Sequence, residues 1–158
     1  MITTREQIPV KLYKAICSAL LAGLTSVICL PAAADTQLVV SHAWVREAPP
    51  GAGVQAGYME IHNTSSKTIK ITAIESPNFT SVEMHRMFNH NGMMRMQQQD
   101  TLNIPANSML ELKPGGYHLM LRNPASYLKS GDTVQFTLTT TANKHINVKA
   151  SVKTDNGS

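Results

Sequence analysis

A segment with regular alternation, Thr-Val-Gln-Phe-Thr-Leu-Thr-Thr at residues 133–140, gives the clearest indication of secondary structure. Its apolar residues Val134, Phe136 and Leu138 are separated by single polar residues. Successive side chains of a β-strand point to opposite faces, so this period of two predicts a strand with one buried face.

Similar short segments, separated by turn residues, extend through the rest of the chain. Ile69, Ile71 and Ala73 alternate with Lys70 and Thr72 in the same way. Gly, Pro, Asn and Ser cluster at 49–51, 76–78, 91–92, 114–116 and 130–132, which is typical of turns. No long segment has an apolar period of 3.6 residues, and the one weak helical candidate is a single turn at 124–129. The other predicted strands are 39–45, 55–62, 68–74, 82–88, 93–98, 109–112, 117–121 and 146–152.

Nine short strands without an internal repeat predict a single all-β domain. At this spacing we expect an antiparallel β-sandwich or barrel. We place the domain at residues 35–153 and expect the polar residues 154–158 to be frayed.

Residues 1–34 have the pattern of a secretory signal peptide. Basic residues lead into an apolar run at 15–30, and small residues at 31–34 predict cleavage after Ala34. The run is shorter than the roughly 20 residues that span a bilayer. We therefore expect a periplasmic protein whose mature chain does not insert into the membrane.

Both cysteines, Cys17 and Cys29, lie in this predicted signal peptide. Ile28 precedes Cys29 where a lipid-attachment site requires a small residue, which argues against lipidation. A mature chain without cysteine excludes a thiolate nucleophile, cysteine-bound zinc and a blue-copper centre.

The charges exclude several further classes of function. Cleavage would lower the net charge from +4 and leave eleven basic and nine acidic residues, dispersed along the chain. The sequence lacks the basic stripe that is typical of nucleic-acid-binding proteins. There is no Ser-His-Asp order, phosphate loop or carboxylate pair near the histidines, so we do not expect an enzyme.

Methionine is unusually concentrated in one part of the chain. Five of the nine methionines fall within residues 84–96. An adaptable core filler is the ordinary role of methionine. The position of histidines beside these methionines offers a second interpretation.

The segment Tyr117-His118-Leu119-Met120-Leu121 predicts one such histidine–methionine pair. If Leu119 and Leu121 face the core, His118 and Met120 share the opposite face. The alternative is a solvated histidine beside an incidental methionine.

Residues 82–98 resemble a β-hairpin that would provide a second pair. A four-residue loop at 89–92 would place His85 opposite Met96. A two-residue loop, Asn91-Gly92, would instead pair Met87 with Met96 and leave His85 diagonal to it. Both registers keep His85 and Met96 on one face, whereas a three-residue loop would separate them.

The two pairs together predict a four-coordinate metal site formed by His85, Met96, His118 and Met120. Thioether sulfur is a soft ligand that favours Cu(I) over zinc, magnesium or calcium, and imidazole suits copper. Met87 shares the face of His85 and is a candidate auxiliary ligand. We interpret Met84 and Trp44 as core residues, and His42, His62, His90 and His145 as structural or solvated.

The spacing of the four residues resembles a known family signature. The order His85, ten residues, Met96, twenty-one residues, His118, one residue, Met120 is similar to the H-x10-M-x21-H-x-M signature of the periplasmic copper chaperones called PCu(A)C. Segments 43–46, 49–50, 56–59, 92–96, 104–106 and 114–121 also resemble this family, so the similarity covers nearly all of the predicted mature chain.

The resemblance implies a cupredoxin-like Greek-key sandwich with an exposed Cu(I) site. It also implies a role in supplying copper for the dinuclear copper centre of a cytochrome c oxidase. We expect a monomer that contacts its acceptor, a membrane oxidase subunit or another copper protein, only transiently. Copper sequestration without a dedicated acceptor, or a metal-free scaffold, remains an alternative. Residues 153–158 contain no histidine or methionine, so we expect one copper per chain.

Overall fold

The computed structural model describes residues 37–154, and in this range the chain forms ten β-strands and no helix. The predicted signal peptide and residues 155–158 of the predicted tail lie outside the described residues. No segment between residues 37 and 154 is a helix that could cross a membrane. The strands are β1 (Leu38–Arg46), β2 (Val54–Asn63), β3 (Ile69–Glu75), β4 (Phe79–His90), β5 (Met93–Gln98), β6 (Leu102–Ile104), β7 (Ser108–Leu112), β8 (Tyr117–Pro124), β9 (Thr133–Thr140) and β10 (His145–Lys153).

All ten strands belong to one hydrogen-bonded sheet in the order β5-β4-β8-β7-β2-β1-β10-β9-β3-β6. Most neighbours are antiparallel, but β1 pairs with β10, and β7 with β8, in parallel. Strands far apart in this order also contact one another, since β3 meets β4 and β6 meets β2 and β7. The sheet therefore folds back on itself around one core. Ten strands and no helix in the described residues confirm the all-β prediction.

The core is formed by the alternating residues that the sequence indicated. Val134, Phe136 and Leu138 of β9 are each at most 1% exposed. Leu119 and Leu121 of β8 are fully buried in the same cluster. Burial of such side chains contributes roughly 1.5–3 kcal/mol each, so these two strands are firmly anchored.

The predicted alternation is wrong at one position of β3. Ala73 was expected to share the buried face of Ile71, but Ile74 is buried and Ala73 is only half-buried. The pairing of β3 with β9 shifts register between Ile71 and Ala73. A bulge of this kind adds one residue to the strand and exchanges its two faces.

Two further differences concern short segments. Strand β6 was not predicted, although Leu102 and Ile104 are buried on either side of exposed Asn103. The helical turn predicted at 124–129 is wrong, because Pro124 ends β8 and the Ala125 N–H donates to the Asn78 carbonyl at 2.9 Å. The residues that follow, 125–129, form bends and irregular structure instead of a helical turn.

Candidate metal centre

The β4–β5 hairpin has the two-residue loop. Met87 lies opposite Met96 and His90 opposite Met93, which leaves Asn91 and Gly92 at the tip. Both tip residues have positive φ, 54° and 79°. Asn-Gly is the preferred sequence for such a turn, because both residues tolerate the left-handed region that matches the twist of the strands.

Strand β8 lies on the other side of β4 and brings the two candidate histidines together. His85 pairs directly with His118 across the ladder. Their ring centroids are 5.8 Å apart, with 32° between the ring planes. His85 and His118 are 7% and 9% exposed, while Leu119 is in the core. The predicted division of β8 into a leucine face and a histidine–methionine face is confirmed.

The two candidate methionines lie on the same face as the histidines, one on each side of them. Met96 is diagonal to His85 across β4 and β5, as the two-residue loop predicted. Met120 lies two residues beyond His118 and is directly opposite Glu83. Diagonal neighbours in an antiparallel pair are about 7–8 Å apart, within reach of long side chains. The two histidines therefore pair directly with each other, whereas each methionine is a diagonal neighbour of His85.

Exposure differs strongly among these four residues. Met96 is 51% exposed, because every residue of β5 is exposed at this edge of the sheet. Met120 is half-buried and, with His118, lines a concavity of about 240 Å³. The small side chain of Ala56, which pairs with Met120 across β2 and β8, also lines this concavity. The face is therefore enclosed around His118 and open around Met96.

Glu83 connects His85 to a basic residue. Its Oε2 lies 2.9 Å from His85 Nε2, and its Oε1 accepts a hydrogen bond from Arg122 Nε at 2.8 Å. Hydrogen bonds from His85 and then Arg122 hold the pKa of the Glu83 carboxyl below its usual 4.5. Glu83 is therefore ionised at neutral pH, and His85 Nε2 must be the donor in this pair.

The remaining nitrogens of the two histidines face different surroundings. His118 Nδ1 lies 3.2 Å from the Gly116 carbonyl, which can only accept, so Nδ1 carries the proton. His85 Nδ1 is buried and makes no hydrogen bond. A buried polar atom without a partner costs roughly 1–3 kcal/mol, and a bound ligand would offset this cost.

Nitrogen and oxygen donors alone do not form a metal site in the described range. No group of three or more His, Cys, Asp or Glu side chains between residues 37 and 154 could hold a metal ion. Only the imidazoles of His85 and His118 are paired on this face of the described structure, so a four-coordinate site here requires the methionine sulfurs. This donor set fits a soft ion such as Cu(I).

The other residues considered from the sequence lie around this face or away from it. Met84 is in the core as predicted, and Met87 is half-buried on the face of His85. Trp44 was expected in the core, but it is half-buried and packs on Tyr58 with ring centroids 4.6 Å apart. Ser41, His42 and His62 surround Glu60, and His145 contacts Thr139.

Glu83 contacts the candidate site but was not among the residues predicted from the sequence. The available signal was the Glu-x-His spacing, because residues two apart on a strand share a face. The same spacing occurs at Glu60 and His62 on β2, where His62 pairs directly with one methionine, Met109, across β2 and β7. The spacing alone therefore does not distinguish the two places.

A family model described as "Putative lipoprotein LpqE-like" matches residues 38–152. The chain belongs to the LpqE-like family. Its relatives include a protein of Leifsonia xyli subsp. xyli named "Putative lipoprotein", 36% identical over 129 residues that cover 77% of this chain and 76% of the relative.

Two solved structures are similar to this chain. The solution structure of a Cu(I)-loaded protein of Deinococcus radiodurans is 36% identical, with a TM-score of 0.59 over 72% of this chain and 76% of that one. A copper-bound PCuAC domain from PmoF2 has a TM-score of 0.64 over 75% of this chain and 93% of that one; at 21% identity it supports the fold alone. The predicted membership of the PCu(A)C copper-chaperone family and the predicted cupredoxin-like fold are confirmed.

Proposed function

We propose that this protein is an exported, periplasmic copper chaperone that binds one Cu(I) through His85, Met96, His118 and Met120. The observation that carries this proposal is the buried, unpartnered Nδ1 of His85 beside the paired ring of His118. The Cu(I)-loaded relative from Deinococcus radiodurans supports the choice of metal.

The four side chains suit reversible binding of Cu(I) better than catalysis. Two neutral imidazoles and two thioethers contribute no negative charge, and thioethers do not protonate in the physiological range. Without a cysteine ligand, the site differs from the blue-copper centres that transfer electrons. We infer that copper is the cargo of this protein.

We propose that the acceptor is the dinuclear copper centre of a cytochrome c oxidase. Delivery requires that incoming ligands reach the metal while it is still held, and the exposed thioether of Met96 provides that access. Periplasmic sequestration would use the same four side chains but would not need a specific acceptor. The two functions therefore differ in transfer and not in binding.

A binding experiment tests the site first. Competition with a Cu(I) chelator should give one tightly bound Cu(I) per chain and a large loss of affinity in His118→Ala. His145→Ala removes an exposed histidine on β10, which hydrogen-bonds to Thr139 away from the candidate site, and serves as the control. An unchanged affinity in a folded His118→Ala variant would exclude the proposed site.

A transfer experiment then separates the two functions. The copper-loaded protein is mixed under reducing conditions with the soluble domain of the oxidase subunit that carries the dinuclear centre. Chaperone activity predicts that copper moves to that domain. Retention of copper by the loaded protein would instead support sequestration.

A further inference from the structure

The two histidines of the candidate site have different nitrogens available. Nε2 of His85 is occupied by Glu83, so its free nitrogen is Nδ1. Nδ1 of His118 is occupied by the Gly116 carbonyl, so its free nitrogen is Nε2. A neutral imidazole binds metal through the nitrogen that does not carry the proton.

We propose that Glu83 is a positioning residue for copper, which fixes His85 in the Nε2–H tautomer and so makes Nδ1 the ligand atom. His118 would then bind through Nε2, so the two imidazoles present opposite nitrogens to the same ion. This inference rests on the proposed function and adds a residue that the four-ligand site does not include.

Arg122 holds Glu83 in the required orientation. Its Nε donates to Oε1 at 2.8 Å, which leaves Oε2 facing His85. Glu83 also pairs directly with Met120 across β4 and β8, so the same carboxylate lies beside two of the candidate ligands. Rotation of Glu83 away from His85 would break the hydrogen bonds to both neighbours.

Glu83 acts through His85 and does not itself bind the metal. Both of its oxygens already accept hydrogen bonds, and a carboxylate is a hard ligand that Cu(I) does not favour. An ionised acceptor forms a stronger hydrogen bond than a neutral carbonyl. We therefore expect Nδ1 of His85 to be a stronger donor to copper than Nε2 of His118, whose partner is the Gly116 carbonyl.

The chain contains a matched control on strand β2. Glu60 and His62 have the same Glu-x-His spacing, with Glu60 Oε2 3.4 Å from His62 Nε2. This pair has no buried, unpartnered nitrogen, and Glu60 also contacts exposed His42 at 3.0 Å. Removing Glu60 deletes a histidine–carboxylate contact without altering the candidate site.

The experiment compares Glu83→Gln, Glu83→Ala and Glu60→Ala with the unaltered protein. Long-range ¹H–¹⁵N NMR of the metal-free protein identifies which ring nitrogen of each histidine carries the proton. We expect His85 to carry its proton on Nε2 in the unaltered protein, and to retain part of that population in Glu83→Gln, whose one amide oxygen can accept from either His85 or Arg122. In Glu83→Ala we expect a mixture of tautomers, and in Glu60→Ala no change at His85.

Cu(I) affinity provides the second measurement. Loss of a residue that hydrogen-bonds to a metal ligand weakens metal binding roughly 10–100-fold, so Glu83→Ala should lose Cu(I) affinity by this factor. Glu83→Gln should lose less affinity than Glu83→Ala. Glu60→Ala should keep the affinity of the unaltered protein. A proton on Nδ1 of His85 in the metal-free protein, or unchanged affinity in Glu83→Ala, would overturn the role of Glu83 alone. Failure of the unaltered protein to bind Cu(I) would overturn the proposed function itself.

Discussion

Met96→Ala and Met93→Ala form a matched pair that tests which face of the hairpin binds copper. The two residues lie on β5 and are 51% and 56% exposed. They differ in parity: Met96 pairs with Met87 on the face of His85, and Met93 pairs with His90 on the opposite face. Only Met96→Ala should weaken Cu(I) binding.

The expected magnitudes separate binding from folding. Complete burial of a methionine side chain contributes roughly 1.5–3 kcal/mol, and half of each of these side chains remains in water. Truncation at this exposed edge should therefore cost at most about 1.5 kcal/mol, or several degrees in Tm for a domain of this size. Loss of a direct copper ligand should exceed the roughly 10–100-fold effect of losing an outer partner.

The assay is an anaerobic competition titration against a Cu(I) chelator, with thermal unfolding of the metal-free variants measured in parallel. Equal Tm values with a more than 100-fold weaker affinity in Met96→Ala alone would support the assignment, since this exceeds the effect of an outer partner. Equal losses of affinity in both variants, or a loss in Met93→Ala only, would refute the argument from strand parity. A loss in Met87→Ala instead of Met96→Ala would assign the sulfur to the neighbouring strand.

Three further outcomes follow from the fold. Leu119→Ala, at a fully buried position, should lose about 2–5 kcal/mol of stability in chemical denaturation, and a smaller loss than 1 kcal/mol would contradict its place in the core. Gly92→Ala introduces a side chain at φ 79° with no neighbouring atom within 4 Å, so only backbone strain of roughly 1–2 kcal/mol should appear in thermal unfolding. The pKa of the Glu60 carboxyl is lowered from its usual 4.5, and the largest cause is the hydrogen bond that His42 donates to it. Its stabilising contribution is complete above pH 4.5 and is lost as the pH falls through the lowered pKa. The stability of Glu60→Gln should therefore change less over this acid range than that of the unaltered protein. The same acid transition in both proteins would show that Glu60 does not make this contribution.

The sequence predicted most strands because alternation of side chains is a local property. The leucines of β8 and the apolar residues of β9 are buried as their spacing indicated. Both bounds of β5 and β9 agree with the structure, while β4 extends from Phe79 to His90, beyond the predicted 82–88. Such extensions depend on pairing with a neighbouring strand, which local spacing does not specify.

Features that depend on distant partners were not accessible in the same way. The bulge that buries Ile74 instead of Ala73 arises in the pairing of β3 with β9. Strand β6 has only three residues and forms by pairing with β3. At the site, parity predicted a shared face for His85 and Met96 but allowed two loop lengths, and the pairing of Met87 with Met96 shows that the loop has two residues. The direct pairing of His85 with His118 joins strands from distant parts of the chain, and the sequence contains no local signal for it.

The place of each strand in the sheet also determines how quickly its backbone amides should exchange with solvent. Strand β5 is at the edge of the sheet and is exposed throughout, so it can open by local fraying. Strand β8 is hydrogen-bonded to β4, β2 and β7, and its opening would disrupt the core. A metal bound by the four side chains would be held by Met96 on a strand that can open at little cost, by His118 and Met120 on a strand that opens only with the core, and by His85 on β4 between them. Hydrogen-exchange protection along β5 and β8 would measure that difference directly.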